Sequence, residues 1–374
     1  MYKKNILIIS YTDLSKDPRP YKQIKLLKNI YNIDTIGVKK NGFERNFTKL
    51  KKTPFVIEIL KLPLLLIYMY KTYYWDRYKK EVLKIFRKSN YDMIIVHEVR
   101  LVPLALKISK SAKIVLDAHE YSPSNFDDKF LWRLFFKRYY TKLCIQNLKK
   151  CDLIITVSNG IAELYKKNFN VSCEVITNAA EFMKLTPKRL DNNQIKIIHH
   201  GNASPSRNLE LMIDIMSFTD NRFELYLMLV VTKATKLYYK RLVNKSRKNK
   251  KIHFLKPVKF NELIKYCNQF DIGMQFHPPS NLNLKYGLGN KFFEFIQSRL
   301  AIAIGPAIEM EKYVKKYNLG IISDNFDPIN MADKLNSLNV DDIRNYKKNS
   351  DKYSCDLSLN ENNKKLLRIL KNLL

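Results

Sequence analysis

Short runs rich in Ile, Leu and Val alternate along this chain with longer charged segments of helical period, and the alternation starts afresh near residue 195. Strands buried on both faces read as near-continuous apolar runs, and the helices that connect parallel neighbours carry the polar residues, so the pattern predicts βαβ units around parallel sheets. In the first half the predicted strands are Ile6–Ser10, Asp34–Val38, Met93–His97, Ile114–Ala118, Leu153–Val157 and Cys173–Ile176. Helices are predicted over Pro20–Ile30, Leu64–Lys88, Pro103–Ser109, Phe130–Lys149 and Gly160–Asn168. A polar, turn-rich stretch at 185–194 reads as a linker. Strands then follow at Ile195–His200, Glu224–Val230, Ile252–Leu255, Ile272–Gln275, Ala301–Ile304 and Gly320–Ile322. The expected fold class is α/β, with two Rossmann-like, doubly wound domains at 1–184 and 195–345. Helices over 346–374 are expected to pack back on the first domain. A ligand is expected at the strand C-terminal ends, in a cleft facing both domains.

Composition narrows the class. With 374 residues and 46% hydrophobic content, the chain has material for two cores, and a globally disordered polymer is excluded. Five scattered cysteines without a C-x-x-C pair read as reduced thiols, and no His/Cys/Asp spacing resembles a metal site. Ile6–Ile9 is too short for the apolar core of a signal peptide and reads as a first strand. The apolar stretch from Leu62 to Tyr74, interrupted by Pro63 and Lys71, falls well short of the ~20 residues that span a bilayer. A formal charge of +32 demands an anionic partner: nucleic acid, a membrane surface or a phosphorylated substrate.

Neither half carries a G-x-G-x-x-G loop or a P-loop, which argues against redox cofactors and nucleoside-triphosphate hydrolysis. Six of only nine glycines lie beyond residue 200, and three of these stand where strand meets helix, in His199-His200-Gly201-Asn202 and in Gly287-Leu288-Gly289-Asn290. Glycine in such places lets backbone turn tightly or approach a ligand. Gly289 and Asn290 stand at a predicted helix N-terminus, where free N–H groups suit a phosphate. Lys291 adds charge there, and Glu294 lies one turn later, placed to accept hydrogen bonds from sugar hydroxyls. Ordinary loop glycines with a solvated lysine would leave the same pattern.

Taken in order, these segments resemble a GT-B glycosyltransferase, most closely the retaining group known as family 4. The resemblance covers nearly the whole chain and rests on Asp17-Pro18-Arg19-Pro20, on 152–160 and 175–181, on the Gly201–Asn208 loop, and on 290–296. It implies that Arg207 holds the donor diphosphate and that Glu294 binds the nucleotide ribose. Two positions depart from the family pattern: Asn202 stands where an arginine is usual, and Tyr286 replaces the first of two glutamates. Lys291 is the expected replacement cation, and Gly201, Asn202, His277, Gly289 and Asn290 complete the donor-binding candidates. His119 matches a residue near the transferred sugar, and Glu120 beside it is a second catalytic candidate, as base or as the group orienting His119. Asp13, Arg19 and His97 are the acceptor-side candidates. The resemblance further implies front-face transfer without an obligatory protein base, no cofactor and no essential metal.

Residues 1–190 hold 37 Lys+Arg against 17 Asp+Glu, so most of the excess charge lies in the first domain. There the cations interleave with aromatics and with both tryptophans, and Trp75, Lys79, Lys80, Trp132, Arg133, Lys137 and Arg138 are candidates for contact with an anionic membrane surface. Aromatic faces packed on the sheet with merely solvated cations would read the same way. Nucleic acid ranks below a nucleotide sugar and a membrane as partner, because no nucleic-acid motif is present. The reading is a glycosyltransferase that moves a sugar from a nucleotide-sugar donor to a lipid-linked or oligosaccharide acceptor in bacterial surface polysaccharide assembly. Its expected location is the cytoplasm, peripheral on the inner face of the cell membrane. A nucleotide-sugar epimerase of the same fold and an inactive GT-B binding protein stay open as alternatives.

Overall fold

The computed structural model describes residues 3–78, 90–191 and 194–374. Lys79, Lys80 and the side chain of Trp75, all membrane candidates, lie outside the described residues. The chain divides into two compact units: Met1–Thr177 with Asn281–Asn283 and Lys365–Leu374, and Asn178–Ser280 with Leu284–Lys364.

In the first unit the strands are β1 (Asn5–Ile9), β2 (Asn32–Gly37), β3 (Asn46–Lys49), β4 (Met93–His97), β5 (Lys113–Asp117), β6 (Leu153–Thr156) and β7 (Glu174–Val175). They form one parallel sheet in the order β3-β2-β1-β4-β5-β6-β7. Ile6, Leu7, Ile8, Ile9 and the whole of Met93–His97 are buried, as expected for central strands covered on both faces. The direction of winding reverses between β1 and β4, which makes their C-terminal ends the switch point where open α/β sheets bind ligands. Leu366 and Leu370 of the last helix, Leu359–Leu373, belong to this unit's core beside Ile6, Ile8 and Ile33.

The second unit holds β8 (Ile195–Asn202), β9 (Phe223–Val230), β10 (Ile252–Leu255), β11 (Ile272–Gln275), β12 (Ala301–Ile304) and β13 (Gly320–Ile322) in the parallel order β10-β9-β8-β11-β12-β13. Its switch point lies between β8 and β11. Their backbone ladder pairs Ile272 with Ile197 and Gly273 with Ile198, and beyond it His199 Nδ1 lies 2.8 Å from Met274 O, a side-chain link where the backbone pairing has ended. Opposite that end, Lys347 of helix Val340–Lys352 is buried and donates to Asp271 Oδ1 at 2.9 Å and Phe270 O at 3.0 Å, tying the helix to the sheet.

Two local expectations need correction. The sequence reading missed β3, because Asn46-Phe47-Thr48-Lys49 is a half-exposed edge strand without an apolar run. The helix expected over Leu64–Lys88 is instead two in the described region, Phe55–Leu66 and Tyr70–Tyr78, separated where Tyr68 takes φ +61°. A non-glycine residue in the left-handed region ends a helix sharply. Pro63 lies inside the first helix, where it removes one backbone donor.

Candidate functional site

At the switch point of the first unit, five side chains interlock. Arg19, in the first turn of helix Pro18–Leu27, donates from Nε to both Asp117 oxygens, Oδ1 at 2.8 Å and Oδ2 at 3.0 Å, and from Nη1 to Ile176 O at 3.1 Å. Gln23, one turn on, donates from Nε2 to Asp117 Oδ2 at 3.3 Å. That contact points the amide oxygen at His97, whose Nε2 lies 3.0 Å away, and His97 Nδ1 lies 2.8 Å from His119 Nε2. With the Gln23 oxygen as acceptor, His97 carries its proton on Nε2 and accepts at Nδ1. His119 must then donate from Nε2, which leaves its Nδ1 as an open acceptor.

The electrostatics agree with one proton on each ring. Burial holds His119 down at about 3 against the pull of Asp117, with His97 and then the Arg19 guanidinium adding to the downward shift. His97 is lowered by burial against the same carboxylate. For Asp117, the nearby Arg19, with the two histidines, overcomes a larger burial penalty, and its carboxyl sits at about 2. A neutral imidazole presenting an acceptor suits a sugar hydroxyl and not an anion.

His97, Asp117 and His119 also bring ligand-type atoms within 4.8 Å of one another. The atoms that converge are already used: Asp117 accepts from Arg19 and Gln23, His97 is bonded through both nitrogens, and His119 Nε2 donates to His97, which leaves only the outward His119 Nδ1. A divalent ion would have to displace a guanidinium from the same carboxylate. The donor set fits a hydrogen-bonded chain and not a metal cage.

Two carboxylates stand just beyond these strands. Glu98 follows β4 with φ +76°, a strained conformation for a residue with a Cβ, and pairs with Arg100 Nε at 2.6 Å. Desolvation, then the Glu98 carboxylate, pushes Glu120 up to about 6 although its side chain is solvent-accessible. Asp13, read from the sequence as an acceptor-side group, accepts from Ser15 N at 3.1 Å and Ser15 Oγ at 2.6 Å and so closes its own loop. Arg19, read the same way, is committed to Asp117. Asp117 and Gln23 were not singled out from sequence, since a carboxylate inside a strand run and a glutamine on a helix carry no motif.

In the second unit the donor candidates converge on Gly201, at the end of β8. Its φ is +131°, and a Cβ there would lie 2.4 Å from Lys291 Cε and 3.2 Å from Arg207 Nη1. Only glycine lets both cations close over the strand end. Lys291 belongs to the first turn of helix Asn290–Gln297, whose N-cap is Gly289, and Arg207 ends the short turn Pro205–Arg207. Burial, then the Arg207 charge, lowers Lys291 to about 7 while Glu294 opposes the shift. Asn202 is exposed beside this pair, and Gly289 has open space where a Cβ would be.

Several buried polar atoms around the pair have no hydrogen-bond partner: Arg207 Nη1, His199 Nε2, His200 Nε2 and His277 Nδ1. His200 Nε2 stands 3.6 Å from Glu294 Oε2, too far for a hydrogen bond. Burial, then Lys291 and Arg207, lowers both His200 and His277 to about 3, so these rings are neutral. Native interiors leave few such atoms unsatisfied. Here they surround two cations at a strand-end switch point, the arrangement an anionic, hydroxyl-bearing guest would complete.

Among the membrane candidates, Arg133, Lys137 and Arg138 are exposed. Trp132 instead stacks on Phe136 and Tyr140, with ring centroids 6.3 and 5.9 Å apart.

Residues 43–182 match the profile of Glycosyltransferase Family 4. No curated protein matches the sequence. Among solved structures, the chain is similar to sucrose-phosphate synthase from Thermosynechococcus elongatus, with TM-score 0.75 and 12% identity over 99% of this chain and 99% of that one. A glycosyltransferase from Rickettsia africae aligns with TM-score 0.71 and 13% identity over 100% of this chain and 99% of that one. The HepE protein of Anabaena, solved with UDP and glucose, aligns with TM-score 0.70 and 14% identity over 99% of this chain and 100% of that one. At such identities the likeness establishes the fold, two Rossmann-like units of GT-B type.

Proposed function

We propose that this chain, a glycosyltransferase of the GT-B type, moves a sugar from a nucleotide-sugar donor to a hydroxyl of a lipid-linked glycan. The observation that carries the donor side is the meeting of Lys291 and Arg207 over Gly201, with Arg207 Nη1 buried and unsatisfied. In this reading the two cations and the N–H groups at the start of helix Asn290–Gln297 hold the diphosphate and stabilise its charge as it departs. Glu294 accepts from the ribose hydroxyls, and His119 Nδ1 accepts from a hydroxyl of the transferred sugar.

We take the transfer to be retaining, a reading supported by likeness to the family whose profile matches residues 43–182. The bond from the anomeric carbon to the diphosphate breaks, a bond to the acceptor oxygen forms on the same face, and the acceptor's proton passes to the leaving phosphate oxygen. The protein supplies position and electrostatics. Assembly of a bacterial surface polysaccharide at the inner face of the cell membrane is the biological setting we favour. Its support is the cationic, aromatic first unit.

A thermal-shift screen of nucleoside diphosphates and nucleotide sugars tests the donor site, with Arg207→Ala and Lys291→Ala alongside. A selective nucleoside-diphosphate hit lost in both variants is expected. No hit across the panel would overturn the reading. Interconversion of the donor's free sugar would point to an epimerase, and donor binding without turnover on any lipid-linked acceptor would point to a binding protein.

A further inference from the structure

Helix Phe55–Leu66 is apolar on nearly every side, a composition that normally belongs to a core or a membrane. Here it is mostly in solvent: Phe55 is 75% exposed, Leu60 72%, Val56 66% and Ile59 47%, and of its side chains only Leu65 is fully buried. Residues 55, 56, 59, 60 and 63 recur at helical spacing, so the exposed side chains form one stripe. The helix packs against segment Arg133–Lys137, and just before that segment Phe130 and Leu131 are each 66% exposed. Single exposed apolar residues are ordinary, whereas a cluster carried by two adjoining elements marks an interaction surface.

Charge decides what covers it. From Lys129 to Cys151 the sequence contains seven Lys and Arg and no acid, and from Lys51 to Tyr74 it contains four lysines and the single acid Glu58. Lys51 and Lys52, which lead into the helix, and Lys129, Arg133 and Lys137, in and just before the segment it packs against, are exposed. Two copies of this chain pressed together through the same face would set these cations against each other, a like-charge contact that opposes association. An anionic lipid layer matches both halves of the surface, apolar side chains for the acyl boundary and cations for the headgroups.

We propose that the stripe of helix Phe55–Leu66, together with Phe130 and Leu131, inserts into the outer layer of an anionic bilayer, with these cations on its headgroups. The helix lies in the interface and does not span it. This surface keeps Arg133 and Lys137 of the one expected from sequence and takes its apolar contact from residues 55–60 with Phe130 and Leu131, next to Trp132, which is stacked on Phe136 and Tyr140. The proposal rests on the reading above only in taking the acceptor to be lipid-linked.

Co-sedimentation with vesicles of phosphatidylglycerol and of phosphatidylcholine tests it, with UDP binding measured on the same preparations. Expected is binding to phosphatidylglycerol vesicles, little to phosphatidylcholine, and a steep loss between 0.1 M and 1 M salt as the screening length falls from about 10 Å to about 3 Å. The double variant Phe55→Ser/Leu60→Ser should lose about tenfold or more in vesicle affinity, and Arg133→Ala/Lys137→Ala roughly fivefold per cation, with UDP binding unchanged in both. Wild-type affinity for vesicles in Phe55→Ser/Leu60→Ser, or a wild-type dimer dissociated by that variant, would overturn the proposal. Failure to bind vesicles with UDP binding intact sinks this surface alone, whereas vesicle binding without any nucleotide binding sinks the donor reading alone.

Discussion

His97 Nδ1 and His119 Nε2 lie 2.8 Å apart, and since Gln23 takes the proton on the other nitrogen of His97, the bond between the rings can run only from His119 to His97. The tautomer of His119 is therefore set by Asp117, two hydrogen bonds further back, because that carboxylate decides which way the Gln23 amide faces. Asp117 and Gln23 are positioning residues, and the outward Nδ1 lone pair of His119 is what they produce.

Gln23→Leu removes the group that orders the two rings while keeping side-chain bulk. Turnover should fall about tenfold or more, with nucleoside-diphosphate affinity unchanged. Steady-state kinetics beside a UDP titration separate these quantities, and imidazole ¹⁵N spectra should show His119 leaving the Nε2–H form. A fall in UDP affinity equal to the fall in turnover would speak against a role confined to the histidine chain.

Breaking the Arg19–Asp117 pair should be costly. Arg19→Leu leaves a buried carboxylate without its cation, a loss of about 3–5 kcal/mol, read as a lower midpoint in urea. The pair's pH dependence follows from its sign. Asp117 is depressed to about 2, so the stability it contributes is fully present above the ordinary carboxylate pKa of about 3.9 and is lost as pH falls through 2. Wild type should lose stability across that window more steeply than Asp117→Asn.

Lys291, lowered to about 7, is half neutral near physiological pH in the free protein. A bound diphosphate favours the charged amine, so binding takes up a proton above pH 7 and affinity should weaken as pH rises from 7 to 9. Calorimetry in buffers of different ionisation enthalpy would detect this uptake. In Lys291→Met the affinity should be at least about tenfold lower, and the proton uptake should disappear.

Gly201→Ala places a methyl group at positive φ and against Lys291. A strain of about 1–2 kcal/mol is expected from the backbone alone, seen as a lower Tm, together with loss of nucleotide binding as Lys291 is pushed aside. An unchanged Tm and unchanged UDP affinity would mean that the close approach over Gly201 has no role.

Titration of Glu120 near 6 gives a fifth test. Should its carboxylate assist proton transfer, the acid limb of the pH–rate profile would rise through about 6 and vanish in Glu120→Gln. A profile identical in wild type and variant would leave transfer to the leaving phosphate alone.

Much of this molecule is local enough to read from residue order. β4, β11 and β12 fall where the runs Met93–His97, Ile272–Gln275 and Ala301–Ile304 place them, because a strand buried on both faces reads as a near-continuous apolar run; the half-exposed edge strands β10 and β13 fall where their own short runs place them. Gly201, Arg207, Lys291 and Glu294 were legible as a group because scarce glycines beside cations at strand-to-helix junctions carry a backbone reason for being there. Three things are not local. Asp117 sits inside an apolar run and Gln23 on an amphipathic helix, 94 positions apart in the chain, and only sheet closure brings them to one hydrogen bond. The Asn46–Lys49 strand owes its place to pairing with β2 and not to its own weak pattern. Helix Phe55–Leu66 is apolar on nearly every side, and its residues 55–63 fall in no element expected from sequence. Which of its faces stays uncovered depends on what packs beside it, and burial is a property of neighbours that no single segment encodes.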